Sequence, residues 1–184
     1  MRILRRSWLD LKAVILAGGK GRRITIYKPF LVVCGKPLIS WVYDSLIGLV
    51  DEIYLGIGYS HPLFSIFKNS IFKIFPTNDM NYVEDLVLLV KNLGVPLLIL
   101  PTDVAFITQD ILKRFIENCN ADICSLKDSN NEFLGISYWK GLNFDNYADI
   151  IVLDKVYNIN SWEDYIRANK ECMSIEEVNN TLPI

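Results

Sequence analysis

Four apolar residues, Ala13-Val14-Ile15-Leu16, run directly into Ala17-Gly18-Gly19-Lys20-Gly21-Arg22-Arg23, and few folds accommodate that order. The apolar tetrad, with its β-branched pair, reads as a short buried strand, and the small residues after it let the backbone turn with successive N–H groups facing outward. A concavity of backbone donors suits an anion. Ringed by Lys20, Arg22, Arg23 and, a few residues on, Lys28 before Pro29, it suits a polyphosphate. Neither familiar phosphate fingerprint is present: GxxxxGK[ST] is missing, and Ile24 stands where the dinucleotide pattern requires its third glycine. A tight strand-to-helix turn carrying surface cations is the competing reading of the same residues.

Beyond the loop, strand and helix signals alternate. Residues 38–49, 82–93 and 109–117 place apolar positions at helical spacing, 61–68 reads as a short helix, and apolar runs at 53–57, 72–75, 122–126, 133–139, 150–153 and 156–159 read as strands. The most continuous run, Val95-Pro96-Leu97-Leu98-Ile99-Leu100, fits a central parallel strand covered on both faces. Thr102-Asp103 follows its carboxyl end, Thr108 is placed to cap the helix over 109–117, and Ser161 with Glu163 signals a capped helix over 162–170. In open α/β sheets ligands gather beyond the carboxyl ends of the strands, where both the glycine loop and Asp103 are expected. The alternation points to an α/β fold, a doubly wound sheet with covering helices.

At 184 residues the chain has the size of one domain, read as an extension over 1–12, a domain over 13–170 and a tail over 171–184. Hydrophobic content is 51% and mean hydropathy +0.24, yet Asp44, Asp51, Asp85 and Lys91 interrupt the apolar runs before the roughly 20 residues a membrane span requires. A formal charge of −2 excludes a strong global attraction to nucleic acid, although Arg2, Arg5, Arg6 and Lys12 make the amino end locally basic. The opening residues lack the pattern of a secretory signal, which predicts a cytoplasmic protein. Cys34, Cys119, Cys124 and Cys172 form no CxxC and have only His61 for company, so they are expected as reduced, mostly buried thiols with no zinc set.

Taken together, Leu16-Ala17-Gly18-Gly19-Lys20-Gly21-x-Arg23, Lys28-Pro29, Thr102-Asp103 and Asn158-Ile159-Asn160-Ser161-x-Glu163-Asp164 resemble the nucleotidyltransferases of the molybdenum-cofactor guanylyltransferase superfamily, across residues 12 to 170. Tyr82-Val83-Glu84-Asp85-Leu86 and Leu153-Asp154-x-Val156-Tyr157 are similar to the GTP:adenosylcobinamide-phosphate guanylyltransferases of archaeal cobalamin synthesis. The resemblance implies a Rossmann-like three-layer αβα nucleotidyltransferase fold with a mostly parallel central sheet. It implies that Leu16, Ala17, Gly18, Gly19, Lys20, Gly21 and Arg22 cradle GTP, that Arg23 and Lys28 face the departing pyrophosphate, and that Asp103 and Asn160 hold Mg²⁺. Tyr82, Glu84 and Asp85 would contact the acceptor or the base.

The implied partners are GTP and a phosphorylated small-molecule acceptor, with a homodimer left open. Molybdopterin or a sugar phosphate is the alternative acceptor. Between Arg23 and Lys28 the family carries a Met-Gly pair in a five-residue stretch, whereas Ile24-Thr25-Ile26-Tyr27 is one shorter and has no glycine. That departure admits a nucleotide-binding homologue without transfer activity. Glu84 and Asp85 also suit the positive start of a helix, and Ser161 beside Asn160 suits a cap without a ligand role.

Overall fold

Strand β1 (Lys12–Leu16) is buried on both faces: Ala13 and Ile15 enter one hydrophobic core, Val14 and Leu16 another. The computed structural model describes residues 10–18, 24–78 and 82–180, with side chains to residue 172. In chain order, β1 is followed by a 3-10 turn at Lys28–Phe30, a hairpin of β2 (Val32–Val33) and β3 (Lys36–Pro37), α1 (Leu38–Leu46), β4 (Glu52–Gly58), α2 (Phe64–Lys68), β5 (Lys73–Thr77) and α3 (Tyr82–Leu93). Then come β6 (Leu97–Pro101), β7 (Val104–Ala105), α4 (Gln109–Asn118), β8 (Ile123–Lys127), β9 (Phe133–Trp139), β10 (Tyr147–Ile151), β11 (Tyr157–Asn158) and α5 (Trp162–Asn180).

Seven strands form the central sheet in the order β10-β8-β9-β6-β1-β4-β5. β9 alone runs against the others, pairing antiparallel with β6 and β8, so the sheet is mostly parallel. Alternation along β6 divides its side chains as in β1: Leu98 and Leu100 join the core beneath α1 and α4, while Leu97 and Ile99 join the one beneath α3. All four are fully buried, each worth about 1.5–3 kcal/mol in area removed from water. Helices on both faces make the three layers of an αβα sandwich. The expected α/β class therefore holds.

A third, smaller cluster lies outside the sheet. Val33, Leu38, Ala105, Ile159 and Ala168 pack together, joining the β2–β3 hairpin, α1, the β7–β11 pair and α5. Polar ties reinforce it: the Trp41 indole donates to the Val33 carbonyl (3.1 Å), the Tyr165 hydroxyl to the Val32 carbonyl (2.9 Å), and the Cys34 backbone N–H to Asn169 Oδ1 (3.1 Å).

Several local expectations are corrected. β5 runs through Pro76 instead of stopping before it, because β5 is an edge strand paired only with β4, where a missing N–H is tolerated. The strand expected at 150–153 lies at Tyr147–Ile151, set by its parallel register with β8. Asp164, not Glu163, completes the cap of α5: its Oδ2 accepts from the Ser161 N–H (2.9 Å), while Ser161 Oγ accepts from the Asp164 N–H (3.1 Å). That helix continues to Asn180. The cysteines are not free thiols, since Cys34 is bonded to Cys172 and Cys119 to Cys124. The fold brings residues 138 apart in sequence together in the first pair, a proximity that spacing does not reveal. Among the described residues, no helix is long and apolar enough to cross a membrane.

Candidate functional site

Parallel pairing fixes where the site lies. Ile15 is opposite Leu100 and Leu16 opposite Pro101, so the carboxyl ends of β1 and β6 are adjacent. The Thr102 N–H donates to the Leu16 carbonyl (3.2 Å), carrying the pairing one residue past the strand. The start of the glycine loop and Asp103 thus share one sheet edge, as the strand order requires of a ligand-binding crevice. Gly19, Lys20, Gly21, Arg22 and Arg23 lie outside the described residues.

A second pairing delivers the third component. β7, directly after Asp103, pairs antiparallel with β11, with Val104 opposite Asn158, and the Ile159 N–H donates to the Asp103 carbonyl (2.8 Å). That ladder brings Asn158 and Asn160 beside Asp103. On the other side, the 3-10 turn begins at Lys28, with Pro29 buried behind it. Lys28 Nζ donates to Asp103 Oδ2 (2.7 Å) and to Asn160 Oδ1 (3.1 Å). Three side chains from three remote segments therefore meet at one point. Both members of the Lys28–Asp103 pair are about four-fifths buried, at 19% and 20% side-chain exposure.

A cavity of about 290 Å³ opens at this edge, its lining including Leu16, Ala17, Gly18, Lys28, Asp103 and Tyr82. The Tyr82 hydroxyl donates to the Gly135 carbonyl (2.9 Å), spanning from the start of α3 to β9. Burial first, then the negative charge of Asp103, pushes that hydroxyl up to about 12, so it stays protonated at neutral pH. Gly135 has a φ of +70°, and a Cβ there would lie 3.1 Å from the Pro101 ring, so this wall admits a side chain only with strain. Glu84 and Asp85 are not among the side chains lining the cavity. Asp85 Oδ1 instead accepts from the Asn78 N–H (3.2 Å), tying the approach to α3.

The donor set suits a hard cation. Asp103 Oδ1 is buried and has no hydrogen-bond partner among the described residues, and the same is true of Asn158 Oδ1. A buried oxygen left without a donor is costly, and a cation beside Asp103 would satisfy its unpartnered oxygen. Among the described residues there is no group of three His, Cys, Asp or Glu side chains that could hold a metal ion. One carboxylate with neighbouring amide oxygens is the kind of partial set that leaves room for phosphate oxygens and water.

The structure thus places Leu16, Ala17, Gly18, Lys28, Tyr82, Asp103 and Asn160 at one site, with Glu84 and Asp85 in the first turn of α3. Asn158 is the residue to which no role was given in the sequence. Its spacing of two from Asn160 was an available signal, because extended chain puts such residues on one face.

Comparison with known proteins gives the family and the fold. Residues 13–142 match the model of the MobA-like NTP transferase domain. The Bifunctional protein GlmU of Pseudothermotoga lettingae is 28% identical over 64% of this chain, and that of Methanococcus aeolicus 29% over 79%. The chain spans only 28% and 36% of the length of these two relatives. Among solved structures, HddC from Yersinia pseudotuberculosis superimposes with a TM-score of 0.64 at 18% identity, covering 87% of this chain and 98% of that one, and it has also been solved with GMP-PN. A Bacillus anthracis protein described as a glucose-1-phosphate thymidylyltransferase, in complex with a sucrose, gives a TM-score of 0.66 at 14% identity, covering 88% and 95%. At such identities the structural likeness concerns the fold.

Proposed function

The chain belongs to the MobA-like NTP transferase family, and from that premise we propose that it transfers a guanylyl group from GTP to the phosphate of a small-molecule acceptor, with Mg²⁺ as cofactor, in the cytoplasm. The observation that carries the proposal is the meeting of Lys28, Asp103 and Asn160 at the adjoining ends of β1 and β6. An acceptor phosphate oxygen forms a bond to the α-phosphorus as the bond from that phosphorus to its bridging oxygen breaks, and pyrophosphate departs with the electron pair. The nucleophile is already an oxyanion, so the protein's work is alignment and charge neutralisation, not proton abstraction.

Each residue contributes to that task. Backbone N–H groups near Gly18 and Gly19 bind phosphate oxygens at the strand end, with Leu16, Ala17, Lys20, Gly21 and Arg22 making up the rest of the nucleotide loop. Lys28, with Arg23, offsets the charge that builds on the leaving pyrophosphate. Asp103 and Asn160 provide the protein oxygens for Mg²⁺, which when bound shields the triphosphate's negative charge. Lys28 holds these two side chains together.

Adenosylcobinamide phosphate is the acceptor favoured by the motifs at 82–86 and 153–160. A sugar phosphate is the second reading, supported by the likeness to the Bacillus anthracis structure. The guanine base is supported by the same superfamily motifs and by the GMP-PN complex of HddC. Incubation with GTP, Mg²⁺ and each acceptor in turn, including molybdopterin, is expected to release pyrophosphate with one of them. GTP binding without release from any acceptor would replace transfer by nucleotide binding alone.

A further inference from the structure

A second cavity, of about 420 Å³, lies between the turn that follows β8 and the segment running from Asp154 to the first turns of α5. Asn158 lines both cavities and is the one residue they share. Its Nδ2 donates to the Phe133 carbonyl at 3.5 Å, while its Oδ1 is buried with no donor among the described residues. An unpartnered amide oxygen on the residue common to two cavities is a feature that folding alone leaves unused.

The charge of the second cavity restricts what it accepts. Asp128, Glu132, Asp154 and Asp164 line it against Lys155 and Arg167. Asp154 is paired with Arg114, Lys155 with Glu171, and Arg167 with Asp164. Asp128 and Glu132 are left without an ion-pair partner among the described residues. A ligand body bearing further negative charge would be repelled here, whereas an uncharged or cationic one rich in hydrogen-bonding groups would not.

We propose that this second cavity receives the body of the acceptor, and that Asn158 is the positioning residue at its threshold, accepting a hydrogen bond from the acceptor so that its phosphate faces the nucleotide. The inference rests on the transferase reading and adds the location and charge class of the acceptor. A single sugar ring fits within the cavity; a corrinoid could insert only its phosphate-bearing arm, with its amide groups serving as donors.

The test is equilibrium titration of the full chain, with Mg²⁺ and a GTP analogue that cannot be cleaved between its α and β phosphates. The probes are glucose 1-phosphate, glucuronic acid 1-phosphate and adenosylcobinamide phosphate. Wild-type protein is expected to bind at least one of the two probes whose bodies carry no negative charge, about tenfold more tightly than glucuronic acid 1-phosphate. Asn158→Leu is expected to weaken that binding about tenfold, measured with the analogue held at saturation. The exposed Glu132→Lys variant, remote from the nucleotide, is expected to remove the discrimination against the glucuronate.

Failure of all three probes to bind, equal binding of the charged and uncharged sugars by wild type, or unchanged selectivity in Glu132→Lys would overturn the proposal. So would an Asn158→Leu variant that keeps its acceptor affinity with the analogue at saturation; if that variant does not fold, the Glu132→Lys result decides. Binding is read without turnover. Absence of pyrophosphate release from GTP would therefore overturn the transferase reading separately.

Discussion

The inner strands β1 and β6 and the outer layer formed by the β2–β3 hairpin, the β7–β11 pair and α5 are held together by different forces. The inner strands are apolar and covered on both sides, with Leu97, Leu98, Ile99 and Leu100 wholly buried. The outer layer is made of two-residue strands around a small apolar cluster, fastened by side-chain hydrogen bonds and the Cys34–Cys172 bond. Burial therefore sets the fold, while polar ties from the outer layer bring Lys28 and Asn160 to Asp103. Damage to the first region should be felt as lost stability, and damage to the polar site as lost chemistry.

The sharpest separation is expected at Asp103. Asp103→Ala should lower the rate of pyrophosphate release by about 10³-fold, the scale of removing one preorganised charge-stabilising group, with little change in melting temperature. Leu98→Ala should do the reverse. It should cost about 3 kcal/mol in denaturant unfolding through the cavity left behind, while the folded fraction keeps its rate. If Leu98→Ala impaired the rate as severely as Asp103→Ala, the two regions would not be separable.

Removing the outer-layer bond sharpens the contrast. Replacing both Cys34 and Cys172 with Ser should cost about 2 kcal/mol by relaxing the unfolded chain's constraint, with a several-fold loss of rate as α5 and the hairpin loosen around Asn160. Unchanged unfolding would show that the hydrogen bonds and apolar cluster suffice.

The smallest effect belongs to Tyr82. Tyr82→Phe removes one hydrogen bond to Gly135 and should cost about 1 kcal/mol or less. Its hydroxyl is raised from the ordinary 10.0 to about 12, so the unfolded chain gives up this proton first. The stability it contributes is intact below pH 10 and fades as the pH rises toward 12. Alkaline melts should show a shallower decline in the Phe variant over that window, whereas rate profiles between pH 7 and 9 should be superimposable.

The same division explains what could be read in advance. The helix at Tyr82–Leu93 and the strand at Phe133–Trp139 have the bounds that their apolar pattern predicts, and the Thr108 hydroxyl accepts from the Ile111 N–H (3.3 Å) as a cap should. Those signals are local. The convergence of the β1 and β6 ends also followed, because a doubly covered apolar run beside a glycine loop leaves few sheet positions for either strand. By contrast, β10 took its register from β8, and the pairing of Val104 with Asn158 joins segments more than fifty residues apart. The Cys34–Cys172 pair, 138 residues apart, likewise depends on distant alignment, so no local pattern announced it. Glu84 and Asp85 stand in the first turn of α3, as their fit to a helix start allows, and Asp85 accepts from the Asn78 N–H.

The most direct measurement is the affinity for GTP, titrated with and without Mg²⁺, in wild-type protein and in Asp103→Asn. If Lys28, Asp103 and Asn160 form one nucleotide–metal site, Mg²⁺ should tighten GTP binding by about tenfold or more in wild type and leave the variant nearly unaffected. An equal gain from Mg²⁺ in both proteins would place the metal, and the chemistry with it, somewhere other than the joined ends of β1 and β6.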